Sequence, residues 1–172
     1  MAMKTTRSIL IPTDFSEHSL VATEYMNMLS KSGATRIFLF HAIPEIMHPY
    51  SYPIVDLNSE TMLRDSEEVA KEQLRDLGKN QFGNRRNVTI HVRRGEPWRE
   101  IVKFAQENAI DLIVMATHGR TGFAHILMGS VAEQVVRHAN VPVMTIKPET
   151  MQEPPHHEPA LVQIPHGENS VL

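Results

Sequence analysis

The feature that most limits what this chain can fold into is an alternation of short apolar runs with longer amphipathic stretches. Ser8-Ile9-Leu10-Ile11, Arg36 to Ala42, Leu112-Ile113-Val114-Met115 and Val143-Met144-Thr145-Ile146 are dominated by apolar residues. Val88-Thr89-Ile90-His91-Val92 alternates instead, and reads as a less fully buried strand. Between these runs lie helical patterns. Leu20, Val21, Tyr25, Met28 and Leu29 share one face; Val69, Ala70, Leu74 and Leu77 share another. Trp98, Ile101, Val102 and Ala105 form a third stripe, and Val131, Ala132, Val135, Val136 and Ala139 a fourth. Strands buried on both faces, alternating with amphipathic helices, predict an α/β fold with a parallel sheet covered on both sides.

The punctuation agrees. Ser16 is placed to cap the first helix, and Gly33 falls just past its end. Pro97 sits at the start of the third helix, where a missing N–H costs nothing. Pro142 separates the last helix from the last strand. Pro44 to Asn58 holds three prolines with few periodic apolar residues, and reads as a long loop of the kind that often serves function. With 172 residues the chain supports one domain, placed at 1–148; residues 149–172, rich in Pro and His, read as a flexible tail.

Bulk properties exclude several classes. A net charge of −3 leaves no nucleic-acid-sized electrostatic footprint. The absence of cysteine removes disulfide and thiolate chemistry. The apolar run before Pro12 is too short for a signal-peptide core, and no segment approaches the roughly 20 apolar residues that span a bilayer. The expectation is a soluble cytoplasmic protein that binds neither nucleic acid nor membrane.

Chemistry is concentrated between the fourth run and the last helix. Ala116-Thr117-His118-Gly119-Arg120-Thr121-Gly122 follows the strand, and Gly129-Ser130 opens a helical pattern that begins at Val131. Glycines there let backbone N–H groups approach a ligand, and a hydroxyl beside a helix N-terminus suits a phosphate. The same pattern also fits turn glycines followed by an ordinary Ser N-cap, and the local sequence leaves both open. In an open parallel sheet ligands bind beyond the carboxyl ends of the strands, at the switch in strand order. Pro12-Thr13-Asp14, after the first strand, and Ala42, near the end of the second, would meet the glycine loop there. Asp14 is either an acceptor for a nucleoside amino or hydroxyl group or a cap for the first helix. Arg120 is either a counter-charge to phosphate or a solvated side chain, and His118 either a ligand contact or a solvated loop residue.

Other chemistries fail. There is no Gly-x-x-x-x-Gly-Lys-Ser/Thr, no dinucleotide fingerprint after the first strand, and no His-Glu-x-x-His pair. His156-His157 lies in the Pro-rich tail, so no metal site is assigned. Ser130 has no evident base, so no catalytic residue is assigned either.

The stretch Ala116 to Ser130 resembles the glycine signature of the universal stress protein family. Ile9-Leu10-Ile11-Pro12-Thr13-Asp14-Phe15-Ser16 resembles that family's first strand and turn, His41-Ala42-Ile43 its second strand end, and Val141-Pro142-Val143 its last strand. The resemblance runs from about Thr6 to Pro148. It implies a doubly wound, Rossmann-like sheet of five parallel strands in the order 3-2-1-4-5, and a homodimer formed through Val143, Met144, Thr145 and Ile146. In the ATP-binding branch the signature is Gly-x-x-Gly-x(9)-Gly-Ser/Thr. Here it maps onto Ala116, Gly119, Gly129 and Ser130, and departs from the pattern at Ala116, whose methyl either crowds the ribose or is accommodated. By resemblance, Pro12, Thr13, Asp14 and Ala42 surround adenine and ribose. Gly119, Gly129 and Ser130 hold the phosphates of ATP, with Mg²⁺ or Mn²⁺ bridging them. The implied function is a nucleotide-responsive stress regulator with little or no turnover. A slow ATP hydrolase or nucleotidyl-transfer enzyme, a nucleotide-free dimeric interaction module, and a binder of another adenine nucleotide such as cAMP are the alternatives.

Overall fold

The computed structural model of the chain describes residues 7–29, 35–44, 57–83, 85, 87–117 and 128–147. Strands and helices alternate: β1 (Arg7–Pro12), α1 (Glu17–Leu29), β2 (Thr35–Ile43), α2 (Leu57–Phe82), β3 (Val88–Arg94), α3 (Pro97–Glu107), β4 (Leu112–Ala116), α4 (Ser130–His138) and β5 (Val143–Ile146). The strands form one sheet in the order β3-β2-β1-β4-β5, and every neighbouring pair is parallel. This is the doubly wound order that the resemblance implied.

Alternating side chains of the central strands feed two cores. Ile9 and Ile11 of β1 join Ile37 and Leu39 of β2 under α1 and α2. Leu10, Phe40 and Ile113 face α3 and α4. Each such fully buried aliphatic side chain stabilises the fold by about 1.5–3 kcal/mol. Strand β3 lies at an edge, and its residues are mostly half-buried, as its alternating sequence suggested.

Some helical positions assigned to core faces point elsewhere. Met28 is 52% exposed, Val69 55% and Val136 46%. Leu20, Val21 and Tyr25 pack partly buried against the core as expected, while the most buried positions of α1 are Ser19, Ala22, Thr23 and Met26. Helix α2 starts at Leu57, inside the stretch expected to be loop, and α4 starts at Ser130, one residue before Val131. Gly33, most of the Pro44–Asn58 stretch and the tail lie outside the described residues.

Helix α3 ends in a Schellman-type turn: the Ile110 N–H donates to the Ala105 carbonyl at 3.1 Å. The residue between that donor and the Asn108 cap is Ala109, at φ +48°. Glycine is usual at this position because a Cβ in the left-handed region costs about 1–2 kcal/mol. Ala109→Gly should remove that strain and return about 0.4–1 kcal/mol through the freer unfolded chain. A net gain of about 0.5–1 kcal/mol in urea denaturation is expected, and a loss of stability would contradict it.

Candidate functional site at the carboxyl ends of the strands

A cleft of about 750 Å³ opens where β1, β2 and β4 end, between the start of α4 and the side of α2. That volume lies within the usual range for small-molecule sites, roughly 300–1,000 Å³. Pro12, Thr13, Asp14, Ala42, Ala116, Gly129 and Ser130 all line it. His118, Gly119 and Arg120 lie outside the described residues.

The β1–α1 turn is held by a dense set of polar bonds. The Thr13 N–H donates to the Phe40 carbonyl at 2.9 Å and so extends the parallel ladder past Pro12. The buried hydroxyls of Thr13 and Ser19 lie 2.8 Å apart, and the Thr13 hydroxyl also accepts the Phe15 N–H at 3.0 Å. Ser16 caps α1 as expected, its Oγ accepting the Ser19 N–H at 3.2 Å. The cap is therefore Ser16 and not Asp14. Asp14 Oδ1 accepts both the Ser16 N–H, at 3.1 Å, and the Ser16 hydroxyl, at 2.6 Å, and so orients the cap from outside the helix.

Across the cleft, Ala116 closes β4 as a regular strand residue paired with Ile146. Its backbone is regular strand that needs no glycine, and the residue is buried at the edge of the cleft. Thr117 donates its N–H to the Ile146 carbonyl at 2.9 Å, and its own carbonyl accepts the Gly129 N–H at 2.6 Å. The chain thus leaves β4 and returns to α4 through a closed neck. Gly129 is the N-cap of α4, with φ −69° and ψ 151°, so the expectation of a Ser N-cap is corrected: Ser130 is the first helical residue. The first intrahelical bond runs from Glu133 N–H to the Gly129 carbonyl at 2.9 Å. The N–H groups of Ser130, Val131 and Ala132 precede it and have no acceptor among the described residues. All three residues line the cleft. Unpaired donors at the positive end of a helix dipole attract an anion.

Several lining residues escaped the sequence reading. Phe15 and His41 pack ring against ring, with centroids 4.5 Å apart. His41 belongs to the quoted second-strand motif, yet only the role of Ala42 was inferred from it. Helix α2 supplies a whole wall: Asp65, Ser66, Val69, Ala70 and Gln73. A cue was present, because Asp65, Val69 and Gln73 recur at i, i+4 and i+8, but an apolar Val69 reads as core from sequence. The wall is tied to the sheet by Arg94 at the end of β3, 3.1 Å from Glu67. The Lys71 ammonium, and behind it the Arg94 guanidinium, hold the Glu67 carboxyl below its ordinary range. Among the described residues no group of three or more His, Asp or Glu is placed to hold a metal ion. No helix of the described residues is long and apolar enough to cross a membrane.

The model of the universal stress protein family matches residues 5–147. Universal stress protein MJ0577 of Methanocaldococcus jannaschii is 31% identical over 155 residues, which span 82% of this chain and 94% of that protein. The solved structure of universal stress protein UspA from Lactobacillus plantarum superposes with a TM-score of 0.70 at 25% identity, covering 84% of this chain and 99% of that one. The universal stress protein from Archaeoglobus fulgidus in complex with dAMP shares the fold, with a TM-score of 0.51 at 20% identity over 84% of this chain and all of that one (100%). So do a universal stress protein in complex with cAMP, at 19% identity and a TM-score of 0.57, and an Arabidopsis thaliana family member with AMP bound, at 19% identity and a TM-score of 0.55.

Proposed function

This chain belongs to the universal stress protein family, and from that premise we propose that it is a nucleotide-responsive regulator whose cleft binds an adenine nucleotide, ATP foremost. The observation that carries the proposal is the junction of the Pro12-Thr13-Asp14 turn with the open N-terminus of α4 in one cleft. Proteins of the same fold carry cAMP, dAMP and AMP. In this reading the turn and the Ala42 backbone take the nucleoside. The N–H groups of Ser130, Val131 and Ala132, with the Ser130 hydroxyl, take phosphate. A divalent cation, Mg²⁺ or Mn²⁺, is assigned to the phosphates themselves. In this reading the protein works in the cytoplasm.

A ligand that binds only the folded chain at 100 times its Kd stabilises it by about 2.7 kcal/mol. For a chain of this size that raises Tm on the order of 5–10 °C. ATP with Mg²⁺ should produce such a shift, and Gly129→Val should abolish it, because the dihedrals of Gly129 admit valine and the position lines the cleft. Ser130→Ala should weaken binding by about 1.5–3 kcal/mol, the worth of one charge-assisted hydrogen bond. No shift with millimolar ATP, AMP or cAMP, or wild-type affinity in folded Gly129→Val by calorimetry, would remove the proposal.

Turnover should be slow or absent. Asp14 Oδ1 is engaged by Ser16 and His41 Nδ1 by the Thr13 carbonyl, so these polar atoms serve the β1–α1 turn. Phosphate release at about 1 s⁻¹ or faster, lost in Ser130→Ala, would establish an enzyme instead.

The homodimer is assigned to β5. It is an edge strand, and Met144 is 38% exposed. Ile146 is spent in its own protomer's core, so pairing across a two-fold axis would rest on the strand backbone and Met144. Light scattering at tens of micromolar should show a dimer for the full chain and for a chain ending at Thr150. A monomer in both would refute the assignment, and loss of the dimer only in the shortened chain would transfer it to the tail.

A further inference from the structure

His41 stands in the second strand, yet it acts on the turn that follows the first. The main-chain ladder between the two strands ends at Thr13, whose N–H donates to the Phe40 carbonyl at 2.9 Å. The next bond to this residue comes from a side chain: His41 Nδ1 lies 2.8 Å from the Thr13 carbonyl oxygen. A carbonyl can only accept, so Nδ1 carries the hydrogen and the network assigns the tautomer. Thr13 is thereby held at both of its backbone groups. The carbonyl that His41 grips belongs to the peptide unit leading into Asp14, so the bond fixes the plane from which the Asp14 backbone and carboxylate start. The imidazole face does a second job. Phe15 adopts φ +63°, a strained angle for an aromatic residue, with its ring packed on that of His41. These two contacts brace the turn from β2, beside the hydroxyl and cap bonds that hold it from α1, and Asp14 lies between the two residues His41 holds.

We infer that His41 is a positioning residue for nucleoside recognition: by clamping the Thr13–Asp14 peptide and the Phe15 ring it aims Asp14 at the ribose, and so sets a preference for ribose over deoxyribose. The inference rests on the reading that the cleft binds an adenine nucleotide with Asp14 at the nucleoside. His41 itself need not touch the ligand.

The test is calorimetry of the full chain with AMP and with dAMP, for the wild type, His41→Phe and His41→Asn. Phenylalanine keeps a ring against Phe15 but has no donor; asparagine loses the ring but offers an amide N–H at the reach of Nδ1. The wild type should bind AMP more tightly than dAMP. His41→Phe should lower that preference about tenfold, the worth of a hydrogen bond to a charged group that is no longer aimed. His41→Asn should retain it. A merely structural role would lower stability and both affinities together and leave their ratio unmoved. If His41→Phe does not fold, His41→Ala against His41→Asn makes the same comparison. A wild type without preference, an unchanged ratio in His41→Phe, or a ratio lost as fully in His41→Asn overturns the inference while the functional reading stands. A wild type that binds neither nucleotide removes the functional reading, and the inference with it.

Discussion

Parallel pairing is the constraint on which the rest of this structure depends. Parallel neighbours cannot be joined by a tight turn, so every connection must travel back across a face of the sheet. Here the chain moves outward from β1 to β2 and β3, then returns past its starting point to place β4 and β5 on the other side. The helices sort accordingly, α1 and α2 over one core and α3 and α4 over the other. At β1 and β4, adjacent strands send their chains to opposite faces. The segments leaving their carboxyl ends diverge, and a crevice opens between them. The cleft is thus a by-product of the winding and needs no special residue to exist.

What the residues contribute is the finish at its rim. Thr13 and Ser19 are buried hydroxyls that satisfy one another, as buried polar groups must. Asp14 and Ser16 then pass the polar chain on to the cap of α1. The two core layers beneath hold this rim on rigid elements: Leu10, Ile11, Leu39, Phe40 and Ile113 are all without exposure. A site built on strand ends in this way keeps its geometry better than one carried by loops alone.

Much of this was legible in the chain. The sheet and its helices followed from hydrophobic period, because strands buried on both faces leave a nearly unbroken apolar trace. Strand order did not follow from period and came only with the family resemblance, since pairing is a long-range matter that local patterns do not encode. In α1 the expected face packs on the core through Leu20, Val21 and Tyr25, but its most buried positions include Ser19 and Thr23, whose types are usually solvated. Val69 was misread for the opposite reason: an apolar residue on a helix looks like core, and only the tertiary arrangement turns it into a cleft wall. The role of His41 was invisible because its partner, Thr13, is remote in sequence and is engaged through a backbone carbonyl, which no motif records.

The bond between Gly129 N–H and the Thr117 carbonyl has a consequence for how the cleft is held. Thr117 is itself bonded through its N–H to the Ile146 carbonyl, so the start of α4 is moored to β4 and β5 by backbone alone. The direction in which the first N–H groups of α4 point is therefore set by the sheet, and side-chain substitutions along the helix leave it in place: the helix start behaves as an extension of the strand ends.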